Sequence, residues 1–88
     1  ISDINRLKAT TELSVKIAVA RTLLLDLEFI KLNSYLSTIK NNFEFYFPEM
    51  EDSQNSINSI FEKINNLDFQ AEELEKILRL LKINIEEQ

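Results

Sequence analysis

The sequence contains no glycine, no cysteine, no histidine and no tryptophan, and one proline in 88 residues. Each absence removes a class of protein. Without cysteine there are no disulfides and no thiolate ligands, and without histidine the commonest metal ligand and general base is gone as well. Zinc sites, histidine-based catalytic triads and the Glu-x-x-His motif of di-iron bundles are therefore excluded. Without glycine there is no phosphate-cradling loop, and the tight turns that a sheet-rich fold requires have no residue to make them. Glycine and proline are also the residues that helix interiors reject, so their scarcity beside 44% apolar residues matches a chain of long helices. Neither a cofactor nor a metal is expected. The lack of cysteine agrees with a reducing compartment, so an intracellular (cytoplasmic or nuclear) location is expected. The chain starts at Ile1 rather than Met, which favours a piece of a longer protein.

The net charge is −5, which argues against nucleic acid as a partner, because a nucleic-acid module presents a basic face to the phosphates. The acids are concentrated between residues 44 and 75, where Glu44, Glu49, Glu51, Asp52, Glu62, Asp68, Glu72, Glu73 and Glu75 face only Lys63. Both flanking segments are net positive.

The strongest pattern lies in the second half. Ile57, Ile60, Ile64, Leu67, Ala71, Leu74, Leu78, Leu81 and Ile85 recur at alternating spacings of three and four, the a/d positions of a coiled-coil seam. Phe61, Phe69, Ile77, Leu80 and Ile83 fall off that seam. A two-stranded zipper would leave them in water, so this helix is expected to be covered on a second side. The pairs Glu72 with Lys76 and Glu75 with Arg79 mark its solvent face. The heptads run through Asn65, Asn66 and Asp68 without a shift; a re-start of the helix at Asp68 is the alternative to a continuous helix.

In the first half, Ser2 and Asp3 can cap a helix that meets no strong breaker before Tyr46. From Ile4 to Val15 its apolar face is modest, diluted by Thr10, Thr11 and Ser14. From Ile17 to Leu36 apolar residues, among them Leu24, Leu25 and Leu32, go almost all the way round, as in a helix surrounded by others. A membrane span is disfavoured there by Arg21, Asp26, Glu28 and Lys31. Asp26 and Glu28 are the only candidates for buried acid/base chemistry, and they point to divergent faces, so no catalytic role is expected and Asp26 is the charge to follow for burial.

Between the halves, Phe43-Glu44-Phe45-Tyr46-Phe47-Pro48 ends the first helix, since proline pushes Phe47 out of the α region. Pro48 can open the next helix at its first position; alternatively Asp52 or Ser53 caps it after a loop. The aromatic cluster reads as a plug for the end of a bundle or as a hook for a partner. Glu49, Glu51 and Asp52 lack the spaced ligands and the turn glycine of a calcium loop and fit a solvated helix start.

The expected architecture is a single all-α module over residues 1–88: a helix at about 3–43, a turn at about 44–53 and a helix at about 54–87 with a possible break near 65–68. This would be a long antiparallel hairpin with coiled-coil packing. Two helices alone cannot cover all of this apolar surface, so a multi-chain helical bundle is expected, as a homo-oligomer or as a subunit of a hetero-complex. Its interface would use Leu24, Leu25, Leu32, Phe43, Phe47, Ile57, Ile60, Phe61, Ile64, Leu67, Leu74, Ile77, Leu78, Leu81 and Ile85. The corresponding function is a non-catalytic oligomerisation or scaffold module. The alternative is a helical binding module that presents the 43–47 cluster and the acidic segment to a peptide or protein.

Overall fold

A computed structural model describes residues 3–67 and 69–88, with Asp3 described in its backbone only. Among the described residues the chain is all-helical, with four helices: α1 (Asp3–Leu25), α2 (Phe29–Tyr46), α3 (Glu51–Asn65) and α4 (Ala71–Glu86). Each helix packs on its two neighbours in a closed square, α1 on α2, α2 on α3, α3 on α4 and α4 on α1, and among the described residues the backbones of the diagonal pairs do not approach closely. Ser14 meets Glu86 while Arg21 meets Glu75, so α1 and α4 run in opposite directions. The body measures 39 × 21 × 20 Å.

One helix per half becomes two, which corrects the expected pair of long helices. The first unexpected break follows α1. Leu27 takes a left-handed conformation (φ 58°), its amide donates to the carbonyl of Leu24 at 3.0 Å, and the Glu28 amide donates to that of Leu23 at 2.9 Å. This is the doubly bonded helix terminator that glycine ordinarily occupies. No local breaker calls for it. The cause lies in the core positions: Ala9, Leu13, Ile17, Ala20 and Leu24 form one inward stripe and Leu32, Leu36, Ile39 and Phe43 another. On one straight helix at 100° per residue these stripes would point about 110° apart, and a single layer cannot cover both. The turn brings them to one interior. The apparent all-round apolarity of residues 17–36 comes from two helices whose inward stripes point in different directions along the sequence, together with apolar residues such as Leu25 and Ile30 that stay exposed.

The second break falls where the sequence offered one as the alternative to a continuous helix, near 65–68, and it divides the heptad seam. Leu67, a seam position, is also left-handed (φ 54°) and lies in the turn, 85% exposed. Its amide donates to the carbonyl of Ile64. Folding back here sets Leu74, Leu78, Leu81 and Ile85 against α1, while Ile57, Ile60 and Ile64 stay beside α2; a continuous helix would carry the second half of the seam past the end of α2. Helix α4 starts from Gln70 without a side-chain cap. The proposed cap at Asp68 lies outside the described residues, as does Ser2.

The third turn is the expected one, around Pro48. Helix α3 begins at Glu51 rather than at Pro48, with Met50 in the cap position, so neither Asp52 nor Ser53 caps it. The Gln54 side-chain amide closes the turn by donating to the carbonyls of Phe47 (3.1 Å) and Pro48 (3.4 Å).

Candidate interaction surface

The core and the surface divide the sequence-derived interface residues unevenly. Leu24, Leu32, Phe43, Phe47, Ile57, Ile60, Ile64, Leu74, Leu78, Leu81 and Ile85 are buried in the chain's own interior. Phe61 and Ile77 are half-buried against that core. Only Leu25 and Leu67 stand out in solvent. The cover demanded by the seam and its off-seam neighbours thus comes from helices of the same chain. Leu80 and Ile83 remain at 50% and 44% exposure on the outside of α4.

The aromatic cluster splits in the same way. Phe43 and Phe47 plug the end of the bundle with ring centroids 6.3 Å apart. The Arg6 guanidinium lies 4.6 Å from the centroid of Phe47 and pairs with Glu49, tying α1 to the turn. Phe45 alone of the three phenylalanines points outward, edge-on to Tyr46. The Glu49 carboxyl is held below the usual range, first by a backbone hydrogen bond and then by Arg6.

The charges expected near residues 17–36 stay near water. Asp26 and Glu28 are exposed rather than buried, and Glu28 lies 3.9 Å from Lys31. Arg21 instead crosses to α4, where its Nη2 donates to Glu75 at 2.7 Å; its Nε is buried without a partner. Glu75 also approaches Arg79 at 4.0 Å, and Lys63 pairs with Glu73 at 2.9 Å. Among the described residues no group of three or more acids could hold a metal ion, and no helix is long and apolar enough to cross a membrane.

Helix α1 carries a second apolar face. Ile4, Leu7, Thr11, Val15, Ala18, Thr22 and Leu25 fall within about 80° of one another around α1 at 100° per residue, opposite its core stripe. Ile4, Leu7, Val15 and Leu25 are between 58% and 68% exposed. No charged residue interrupts the stripe. The threonines add methyl groups, because the hydroxyls of Thr11 and Thr22 are already bonded back to the carbonyls of Leu7 and Ala18, each at 3.3 Å. The spacing of three and four from Ile4 to Leu25 was present in the sequence, but the threonines diluted it and the inward stripe overlapped it.

At the end of the bundle where the two left-handed turns lie, Leu27 and Ile30 are exposed, and the ring of Phe29 packs edge-on to Phe69 with centroids 5.2 Å apart. At the opposite end Glu49, Glu51, Asp52 and Glu87 line an acidic groove together with Met50 and Asn84. No protein-family model matches the sequence, and neither the curated proteins nor the solved structures return a significant match.

Proposed function

We propose that this chain is a non-catalytic structural module that joins protein chains by helix packing, and that its contact is the outer face of α1. The observation that carries this reading is the second apolar face of that helix. A surface helix of a single-chain bundle needs one apolar stripe, and α1 has two on opposite sides, one of them in water. Contiguous exposed apolar surface of this extent marks an interaction site in a soluble protein. The multi-chain helical assembly expected from the sequence therefore rests on α1 and no longer on the seam of α3 and α4.

Sedimentation equilibrium from low micromolar to several hundred micromolar tests it. The expected result is a mass above that of one chain, which falls back to one chain in Leu7→Glu with unchanged helicity. A folded monomer across the whole range sinks the reading.

A second reading, a binding module for a basic or amphipathic peptide, draws support from the acidic groove and from the exposed ring of Phe45. Its test is Phe45→Ser with Glu51→Lys, both at exposed positions. Loss of binding to a lysine-rich amphipathic peptide by an otherwise intact protein supports it, and unchanged binding removes it. Substituting Phe43 or Phe47 would not discriminate, since both are core residues.

A further inference from the structure

We infer that the chain covering the outer face of α1 is a second copy of this protein, its α1 packed antiparallel across a two-fold axis close to Val15. The inference rests on the assembly reading above and adds the identity and register of the partner.

The arrangement of the stripe carries it. Ile4 and Leu25, Leu7 and Thr22, and Thr11 and Ala18 lie at equal distances from a midpoint between Ser14 and Val15. Reversing the helix therefore lays the stripe on itself. Ile4 would meet Leu25 of the partner copy, Leu7 would meet its Thr22, and Thr11 would meet its Ala18, so the bulky residues sit towards the ends and smaller ones let the axes approach between them. A two-fold interface requires this self-complementarity.

Charge permits it as well. Lys8 and Arg21, the cations nearest the stripe, lie on its opposite edges. In an antiparallel two-fold pairing each edge faces the same edge of the partner with the chain reversed. Lys8 then lies beside Val19 and Thr22 of the partner copy, and Arg21, already held by Glu75, beside Leu7 and Thr10 of the partner copy. No like charges are brought together, and burying the bonded hydroxyls of Thr11 and Thr22 strands no donor.

The size agrees with a reversible dimer. At 1.5 Å per residue the stripe is about 30 Å long, and covering it would remove roughly 600–700 Å² per chain, the low end of standard interfaces.

The natural absence of cysteine makes a clean cross-linking experiment possible. Three variants are oxidised at a concentration where sedimentation shows dimer: Leu7→Cys, Thr22→Cys, and the double variant carrying both. Positions 7 and 22 are about 22 Å apart along one helix, too far for an internal bond. The expected result is a disulfide dimer from the double variant, none from either single variant, and a dimer about ten-fold or more weaker in Leu7→Glu with circular dichroism unchanged. Efficient cross-linking of Leu7→Cys alone overturns the register in favour of a parallel pair. A dimer lost in Leu7→Glu but not cross-linked in the double variant overturns this inference while leaving the assembly reading intact, and a dimer that ignores all of these substitutions places the contact on another face and overturns both. A monomer overturns both, and a monomer that co-sediments with phosphatidylcholine–phosphatidylserine vesicles, losing that binding in Leu7→Glu, assigns the stripe to a lipid surface instead.

Discussion

Helices α1 and α4 lie side by side and were built on different plans. Helix α4 turns Leu74, Leu78, Leu81 and Ile85 inward. Its flanks carry charges, with Glu75 reaching Arg21 and Lys82 bonded to Glu86 at 2.9 Å, and Glu86 in turn accepting from the Ser14 hydroxyl at 3.0 Å. Helix α1 turns Ala9, Leu13, Ile17, Ala20 and Leu24 inward and then repeats an uncharged stripe on the side away from the core. The inner residues of both helices hold this chain together. The outer residues Ile4, Leu7, Val15 and Leu25 of α1 stand largely in solvent, and the contrast between its two faces can be tested by substitution.

The largest contrast lies between the two leucine classes. Leu78→Ala removes a fully buried side chain and should cost about 2–5 kcal/mol. Leu7→Ala, on the outer stripe, should change the stability of the monomer by no more than about 0.5 kcal/mol. Urea denaturation of each variant, at a concentration where sedimentation shows single chains, measures both, and similar losses at the two sites would erase the distinction between the faces.

A smaller effect sharpens the comparison at the helix ends. Helix α4 runs out at Glu87 with right-handed backbone, whereas α1 is stopped by left-handed Leu27, as α3 is by Leu67. A branched side chain in that conformation costs roughly 1–2 kcal/mol, and neither leucine is buried in return. Leu27→Gly and Leu67→Gly should each raise stability by about 1 kcal/mol, read as a higher denaturation midpoint at unchanged slope. A loss at either site would mean that the leucine side chain is bound by something in solution.

The smallest effect concerns the polar link between α1 and α4. The Glu86 carboxyl is held below its ordinary value of 4.5, chiefly by Lys82 and then by Ser14. A carboxyl depressed by folding contributes stability that is complete above its unfolded value and is lost as the pH falls through the folded one. Glu86→Gln should therefore lower stability slightly at neutral pH and leave it unchanged well below pH 4.5, so that the two pH profiles differ in slope only in that acid window and converge below it. Parallel pH profiles for the variant and the unaltered protein would show that the link contributes nothing.

Much of the fold was legible residue by residue. The lack of glycine and the near-lack of proline announced helices, and Phe47-Pro48 announced one reversal. The seam from Ile57 to Ile85 named residues that are indeed inside, Leu67 excepted and Ala71 only partly covered. Of the other two turns, the one at 26–28 was not legible as a turn, and the one after Asn65 was legible only as the alternative break near 65–68. At 26–28 the signal was a jump of eight between Leu24 and Leu32, which shifts the apolar stripe around the helix, and it was read as an apolar helix surrounded by others. At 66–70 the heptads pass straight through, so the pattern favoured a continuous helix. The outer stripe of α1 escaped because threonine methyl groups count as polar residues in a sequence and as apolar surface once their hydroxyls are bonded to the backbone.

The sequence by itself determined that the chain is helical, where proline reverses it, and most of what is apolar enough to be buried, because propensity and periodicity act over a few neighbouring residues. Only the tertiary structure decided that two long helices become four, and which of the two apolar faces of α1 goes inside. Burying each leucine or isoleucine of α4 against α1 returns about 1.5–3 kcal/mol, more than the strain of a left-handed leucine, so the chain folds back at Leu67 without a glycine to help it. That balance is struck between residues far apart in the sequence and close together in the bundle.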